Sequence, residues 1–255
     1  MSLSYRVYYV WKRNFYSFKR FVIPTLLVSL GEPLFYLVAM GMGLGAYMGL
    51  LGGKSYLGFL APGIVMSGVM LSSAFECLYG TLVRMIHEKI FDSLIVTPIS
   101  AEDAVAGDIA WAIFRGWISG FLVLAAAVLL GAVSVSLPGV ILLFLAMTAV
   151  GLVFASLSMI VTSFAPNFDF FNYYTELFIT PMFFFSGVFF PLDRLPEWVK
   201  VAAHFLPLTH AVDISRAALE GRFSTALAYN FLALILPGII LFYAALLCMK
   251  RRLIK

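Results

Sequence analysis

Six long apolar stretches constrain the fold of this chain more than any other feature of its sequence. They cover roughly residues 22–46, 57–79, 110–132, 137–163, 173–190 and 226–249. A membrane-spanning helix needs about 20 apolar residues, whereas a strand of a membrane barrel needs about 10. The stretches therefore predict an all-α membrane protein with six transmembrane helices, of which the fifth is short and interrupted by Pro181.

The composition agrees with a membrane protein, because 62% of the residues are hydrophobic and only 12% are charged. Soluble domains carry about 25% charged residues. Since no long polar block separates the stretches, residues 1–255 are expected to form a single transmembrane domain. Cys77 and Cys248 both lie in apolar stretches, where buried free thiols are expected rather than a disulfide.

The basic residues predict the orientation of the chain in the membrane. Five of the first 20 residues are Lys or Arg, and the chain ends in Lys250, Arg251, Arg252 and Lys255. Lys and Arg mark cytoplasmic edges, so both termini are predicted to be cytoplasmic, which an even number of spans allows. For the same reason the net charge of +4 indicates contact with membrane lipids, not with nucleic acid.

Residues 4–20 have the pattern of an amphipathic helix that lies on the membrane surface. The cations recur every seven residues on one side, and the apolar side carries Val7, Val10, Trp11, Phe15 and Phe18. We expect the cations to face anionic headgroups. A flank that only sets the topology is the alternative.

The longest cytoplasmic loop, 81–108, is predicted to contain two helices. Ile86, Ile90 and Leu94 recur at four-residue spacing, and Pro98 disfavours helix for the residue before it. Ser100 is then placed to cap a second helix, with Asp103 in its first turn. The apolar stripe of the first helix needs to be buried, either by a cytoplasmic partner or by the bundle itself.

Four ionisable residues lie within or near the apolar stretches, namely Glu32, Glu76, Arg115 and Glu176. Such groups are costly in a membrane unless they are paired, protonated or exposed to a polar cavity. Glu76 and Arg115 both lie toward the cytoplasmic ends of their spans, where they would pair. The sequence leaves two interpretations open, structural pairing and the lining of a transport pathway.

The segment after Pro191 is predicted to lie outside the membrane while keeping an apolar face. Two short amphipathic helices are expected over 196–206 and 209–220, separated by Pro207, with Thr209 as the N-cap of the second. Two pairs of glycines, Gly41 with Gly45 and Gly116 with Gly120, have the spacing that lets membrane helices approach closely.

The sequence contains no nucleotide-binding or catalytic motif. Gly53-Lys54-Ser55 resembles the end of a phosphate-binding loop, but Met48 stands where that motif needs glycine. His204, His210 and Asp213 would suggest an acid–base or metal group, yet no metal-ligand spacing accompanies them. We therefore expect no catalytic residue, no metal and no cofactor on this chain.

Three sets of motifs resemble the permease subunits of type-2 ABC exporters over nearly the whole chain. They are Tyr-Leu-Gly-Phe-Leu-Ala-Pro-Gly at 56–63, Leu-Ile-Val-Thr-Pro-Ile-Ser at 94–100, and a discontinuous set over 179–191, 195–196 and 206–210. The last set is similar to the branch that exports nodulation lipo-chito-oligosaccharides.

This resemblance implies a homodimer bound to two copies of a separate P-loop ATPase, which would hold ATP and Mg, in a bacterial cytoplasmic (inner) membrane. It also implies an interfacial helix at 4–20, a coupling helix at about 84–97 and a re-entrant helical hairpin at 192–220. The first, second and fifth spans would face the pathway. Many relatives carry a glycine in the coupling segment, where this chain has Ile90-Phe91-Asp92.

The resemblance further implies roles for individual residues. Contact with the ATPase is expected of Arg84, Glu88, Lys89, Asp92, Thr97 and Pro98. An outer gate is expected at Pro181, Gly187, Pro191, Pro196, Pro207 and His210.

The function predicted from these features is ATP-powered export of an amphipathic, lipid-linked or glycolipid substrate. The aromatic residues at 168–174 and 183–190 would contact lipid tails or sugar faces, or simply pack against lipid. A drug or antibiotic exporter of the same family is the main alternative. A membrane-embedded lipid-modifying enzyme that uses His204, His210 and Asp213, and an ATP-independent channel or scaffold, are alternatives of other classes.

Overall fold

A computed structural model of the chain describes residues 3–51, 53–95, 97–222 and 224–253. These residues form helices α1 to α10 and a short antiparallel hairpin, β1 (Leu50–Leu51) with β2 (Lys54–Ser55). The helices are α1 (Val7–Lys19), α2 (Val22–Met48), α3 (Tyr56–His87), α4 (Ile90–Ile95), α5 (Ala101–Leu129), α6 (Leu137–Phe164), α7 (170–185), α8 (Glu197–His204), α9 (Pro207–Glu220) and α10 (Ala226–Leu253).

Five of the described helices, α2, α3, α5, α6 and α10, are long and apolar enough to cross a membrane. They correspond to the predicted stretches at 22–46, 57–79, 110–132, 137–163 and 226–249. In α2, a π-helical segment, Tyr36–Leu44, follows Pro33, which lies inside the helix. The fold is therefore that of an all-α membrane protein.

The predicted fifth span, 173–190, is helical over only part of its length. α7 consists of Phe170–Tyr174, the π-helical turn Thr175–Ile179 and Thr180–Phe185. At 1.5 Å per residue it is roughly 24 Å long, less than the ~30 Å thickness of the hydrocarbon core. The helix ends before Gly187, which has a positive φ of 75°.

The predicted coupling helix, 84–97, is two separate pieces in the structure. α3 continues to His87, and α4 begins at Ile90 after Lys89 adopts a φ of 51°. This reversal brings Phe91, which is 1% exposed, into a cluster with Cys77 and Met159. The expectation of one continuous helix was wrong, because the chain turns back to bury Phe91 against its own bundle.

The second helix predicted in the loop is the beginning of the third span. The Asp103 amide donates to Ser100 Oγ at 3.0 Å, so the predicted N-cap is present. The helix then runs without interruption to Leu129. Its first turns are buried, and a Cβ added at Gly107 would lie 2.5 Å from Val10 Cβ, so α1 packs directly on this part of α5.

α3 is the most buried of the five long helices and packs against α5, α6 and α9. A Cβ added at Gly116 or Gly120 would lie 3.0 or 2.7 Å from side-chain atoms of Val69. These contacts place the backbones of α3 and α5 very close together. The predicted close approach at this glycine pair is confirmed.

The second outer helix differs from the prediction in its start and in its surroundings. α9 begins at Pro207, whose fixed φ suits the first helical position, so Thr209 lies inside the helix and is not its N-cap. One face of α9 is buried against α3, α6 and α10. α9 is therefore part of the bundle, whereas Trp198 of α8 is largely exposed.

The two ends of the bundle can be named by the segments that meet there. At the α1 end, the Ser4 amide donates to Asp103 at 2.7 Å and Lys250 pairs with Glu102 at 2.7 Å. At the α9 end, Lys54 of the hairpin pairs with Glu220 at 2.7 Å. Both terminal segments and the 88–100 loop thus lie at the same end.

Candidate functional site

Five charged side chains form a network at the α1 end, which we call the charge network: Arg13, Glu76, Arg84, Asp108 and Arg115. Arg84 is its centre, with Nη1 at 2.8 Å from Glu76 Oε1 and Nε at 3.1 Å from Asp108 Oδ2. Arg13 lies 3.6 Å from Asp108, and Arg115 lies 3.8 Å from Glu76. The network therefore joins α1, α3 and α5.

Neutral donors complete the coordination of the two carboxylates. Asn14 Nδ2 donates to Asp108 at 2.7 Å, and Thr81 Oγ1 donates at 3.3 Å. Trp111 Nε1 donates to Glu76 at 3.0 Å. Because Asp108 is 0% exposed, burial of its charged carboxylate would be very unfavourable in free energy without these partners. The network carries three positive and two negative charges, so it has a net charge of +1.

Arg13 does not face lipid headgroups, which corrects the expectation for α1. Its guanidinium lies against buried Asp108 and beside Asn14. Burial lowers the pKa of Arg13 from its ordinary value, and the charge of Asp108 opposes that shift. Arginine remains charged, so α1 is held to α5 by an ion pair as well as by the packing of Trp11 on Phe114.

The structure places only one of the predicted coupling residues in the charge network, Arg84. Glu88, Lys89, Thr97 and Pro98 are exposed around α4. Thr97 Oγ1 donates to Leu94 O at 2.6 Å, and Pro98 O accepts from Arg6 of the segment before α1. The side chain of Asp92 lies outside the described part of the chain.

Three of the four predicted intramembrane residues border one cavity of about 300 Å³: Glu32, Glu76 and Arg115. The expected pair of Glu76 with Arg115 is present, but Arg84 is the nearer partner of Glu76. Glu176 lies elsewhere, on an exposed face of α7 beside Tyr173 and Leu177.

The predicted gate residues lie around the end of α7. Gly187 O accepts from Arg216 Nη2 at 2.6 Å, and the guanidinium of Arg216 also stacks over the Phe59 ring at 4.1 Å. Tyr56 donates to Phe189 O at 3.2 Å. The turn after α7 is therefore tied to both α3 and α9. Pro191, Pro196 and Pro207 lie at the boundaries of helices, whereas Pro181 lies inside α7.

Two acidic groups at the α9 end have shifted pKa values. Burial tends to raise the pKa of Glu220, but the hydrogen bond and charge of Lys54, together with Arg222, outweigh it and the net shift is downward. Burial raises the pKa of Asp213, against the opposing charge of Arg216.

The histidines are engaged in structural hydrogen bonds. His210 Nδ1 lies 3.0 Å from Asn230 Oδ1, and Nε2 lies 2.9 Å from His204 O. His204 Nδ1 lies 2.7 Å from Lys200 O. Among the described residues, no group of three His, Cys, Asp or Glu side chains is placed to hold a metal.

Sequence reasoning missed Asp108, Asn14 and Arg216. Asp108 was assigned to a loop, because the start of the third span was placed at residue 110. The sequence does contain a signal for Asp108. If the helix that begins after the Ser100 cap continues without interruption, Asp108 is a carboxylate inside an apolar helix. The partners of Asn14 and Arg216 are 94 and 29 residues away along the chain, so no local pattern reveals them.

Comparison with known proteins assigns the chain to a family. The profile of the ABC-2 type transporter family matches residues 5–219. The chain is similar to nodulation protein J of Rhizobium leguminosarum bv. trifolii, with 37% identity over 251 residues that cover 96% of this chain and 93% of that protein. It is also similar to nodulation protein J of Sinorhizobium fredii, with 35% identity over 246 residues that cover 96% and 93%.

A more distant relative is the inner membrane transport permease YadH of Escherichia coli, with 25% identity over 234 residues that cover 92% of this chain and 90% of that protein. Both the family match and these relatives extend over almost all of the helices described above. The chain belongs to the ABC-2 type transporter family and is a multi-pass transporter membrane subunit, not an enzyme.

Proposed function

We propose that this chain is the permease of an ATP-driven exporter that moves an amphipathic, lipid-linked or oligosaccharide substrate across the bacterial inner membrane. ABC-2 permeases work with an ATP-binding subunit. Because the sequence lacks a P-loop, ATP and Mg would bind to that separate subunit. The substrate class is supported by the similarity to two proteins named nodulation protein J.

The observation that carries the proposal is the charge network. Its members come from α1, α3 and α5, and Arg84 belongs to the last turns of α3, three residues before the α3 helix ends. A force applied to α1 therefore reaches α3 and α5 through buried ion pairs, and a force applied to α4 reaches α5 through the packing of buried Phe91. Packed, hydrogen-bonded networks of this kind transmit discrete shifts rather than bending gradually.

The proposed topology has six crossings and both termini in the cytoplasm. α7 makes the fifth crossing together with the non-helical residues 186–190. The following segment, 192–220, forms a re-entrant hairpin from α8 and α9. In support, the α1 end carries the strongly basic terminal segments, and basic flanks lie on the cytoplasmic side.

In the proposed mechanism, two copies of this chain assemble with two ATPase copies. Closure of the ATPase pair on ATP moves α4 and α1, and the charge network shifts α3 and α5. α3 also carries Tyr56 and Phe59, which contact the Phe189 carbonyl and the Arg216 guanidinium at the α9 end. A shift of α3 would therefore loosen the turn after α7 and open the outer gate.

The test is reconstitution of the chain with candidate ATPases in liposomes. The proposal expects a stable complex and ATP-dependent movement of a labelled glycolipid. Arg84→Met should lower transport more than it lowers ATPase binding, since Arg84 is buried in the network. The proposal fails if no ATPase binds and no nucleotide-dependent transport occurs.

The resemblance also allows a drug or antibiotic exporter of the same family. Competition for transport would separate the two: a glycolipid exporter is inhibited by glycolipids with the same headgroup, and a drug exporter by apolar cations. The lipid-modifying enzyme is not retained, because the chain is a transporter subunit and the ring nitrogens of His210 are engaged in hydrogen bonds.

A further inference from the structure

A cavity lies inside a single chain, between α2, α3 and α5, and its largely apolar wall carries several polar groups. Its volume is about 300 Å³, and Pro33 and Gly68 place it near the middle of α2 and α3. The residues with polar side chains on its wall are Ser29, Glu32, Ser72, Glu76, Tyr79, Arg115 and Ser119. It is formed by the first, second and third spans, whereas the resemblance assigns the first, second and fifth spans to the pathway.

The polar groups on the wall of this cavity require an occupant that can form hydrogen bonds with them. Polar groups at membrane depth that lack hydrogen bonds cost several kcal/mol each. Empty cavities in proteins are apolar, whereas cavities with polar groups hold water or a ligand. Ser72 Oγ is buried, and none of the described residues provides it with a hydrogen-bond partner. Ser119 is 1% exposed and also lines the cavity.

The cavity adjoins a second hollow of about 430 Å³ at the α1 end. The two share Glu76, Tyr79, Gly80 and Arg115 as lining residues, and the second also borders α1. The two hollows therefore lie next to each other between the surface helix α1 and the middle of the spans. This arrangement suits a headgroup that enters sideways from the leaflet at the α1 end.

The charges around these two hollows indicate an uncharged ligand. The linings of the two hollows contain three glutamates and three arginines: Glu32, Glu76, Glu88, Arg13, Arg84 and Arg115. This balance favours neither an anion nor a cation. Hydroxyls, carboxylates and guanidinium groups can instead donate to and accept from the hydroxyls of a sugar, and Trp111, Phe18 and Tyr79 offer ring faces beside them.

We propose that this intramolecular cavity binds the uncharged polyhydroxyl headgroup of an amphipathic molecule, whose apolar chain stays in the membrane. The proposal rests on the export function and specifies which part of the substrate this chain recognises. The Ser72 hydroxyl forms a hydrogen bond with a headgroup hydroxyl. Glu32 at the exposed rim and Arg115 at the junction of the hollows bind the headgroup from opposite sides.

The test measures equilibrium binding to the purified full-length chain in nanodiscs, without ATPase or nucleotide. The probe is tritiated dodecyl maltotrioside below its micellar concentration. Dodecyl phosphocholine and dodecyl sulfate serve as competitors that have the same tail, with charged groups in a zwitterionic and an anionic head respectively. The proposal expects saturable binding that each charged competitor displaces at least tenfold less well than unlabelled probe does.

Two substitutions and a matched control localise the binding. Ser72→Ala should weaken binding about three- to tenfold, the effect of losing one hydrogen bond. Ser72→Leu should abolish it by filling the cavity. Ser156→Ala removes another buried hydroxyl that has no partner among the described residues and does not line these hollows, so it should leave binding unchanged.

The proposal is overturned if the wild-type chain does not bind the probe, if Ser72→Leu binds it normally, or if the charged competitors displace it equally well. Failure of the export function gives a different pattern. In that case the probe binds with the same dependence on Ser72, but liposomes that contain the ATPase show no nucleotide-dependent transport.

Discussion

The net charge of the charge network predicts that its carboxylates matter more for stability than its central arginine. Asp108→Asn keeps the shape of the side chain but raises the network charge from +1 to +2. It leaves Arg13 without its anion and Arg84 with Glu76 alone. Removing one partner of a buried ion pair costs about 3–5 kcal/mol. The amide that replaces the carboxylate retains one acceptor oxygen, so a cost near the lower value is expected.

Arg84→Met has the opposite effect on the balance of charge. It lowers the network charge to zero and leaves each carboxylate with one arginine, Arg13 at 3.6 Å from Asp108 and Arg115 at 3.8 Å from Glu76. The loss is that of two hydrogen bonds to charged groups, each worth about 1.5–3 kcal/mol, and it is partly offset because the remaining charges of the network balance. We therefore expect Arg84→Met to destabilise the chain less than Asp108→Asn.

The measurement is thermal unfolding of the purified variants in one detergent, followed by tryptophan fluorescence. Asp103→Asn is the matched control, because Asp103 is 1% exposed in the same helix but accepts from the Ser4 amide rather than from an arginine. The double variant Arg13→Met/Asp108→Asn should be more stable than Asp108→Asn alone, since it restores the charge of +1.

The reasoning is refuted if Asp108→Asn is no more destabilising than Asp103→Asn. It is equally refuted if Arg84→Met unfolds at a lower temperature than Asp108→Asn, because the excess of positive charge would then have no energetic effect.

Two further predictions concern packing and pH. Gly120→Ala should lower the free energy of unfolding by about 1–3 kcal/mol, because the added methyl group would overpack against Val69. Gly43→Ala is the control and should change it little, because a Cβ there meets nothing within 4 Å. Equal unfolding temperatures of the two variants would contradict this prediction. Because the pKa of Glu220 is lowered, its pair with Lys54 stabilises the fold above the ordinary Glu pKa of about 4.3, and this contribution is lost as pH falls through the lowered value. Glu220→Gln should therefore unfold at a slightly lower temperature than wild type at pH 7, and this difference should shrink as the pH falls through the lowered pKa of Glu220. A difference that stays constant as the pH is lowered would exclude the ion pair as its cause.

Local patterns in the sequence were sufficient where a single segment determines its own structure. The apolar stretches predicted five helices that are long enough to span a membrane, and Ser100 predicted the cap of α5. The glycine pair at 116 and 120 predicted a close helix contact. In each case the hydrophobic period, the cap or the small residue acts within a few turns of helix.

The predictions failed where a signal close in the chain was misread or where a distant partner decides the local structure. Thr209 was expected to cap a helix that Pro207 begins, and 84–97 was expected to be one helix although burial of Phe91 breaks it at Lys89. The fifth span is helical over less of its length than its hydropathy suggests, because the chain leaves the helix at Ser186 before Gly187.

The sequence by itself determined that this is a helical membrane protein without its own ATPase motif, because hydropathy and the absence of a P-loop are properties of consecutive residues. The tertiary structure decided which charged groups meet. Asp108 comes within hydrogen-bonding or ion-pair distance of residues 13, 14, 81 and 84, and Glu76 within such distance of residues 84, 111 and 115. Buried charges need several partners at once, and only packing of α1, α3 and α5 brings those partners together.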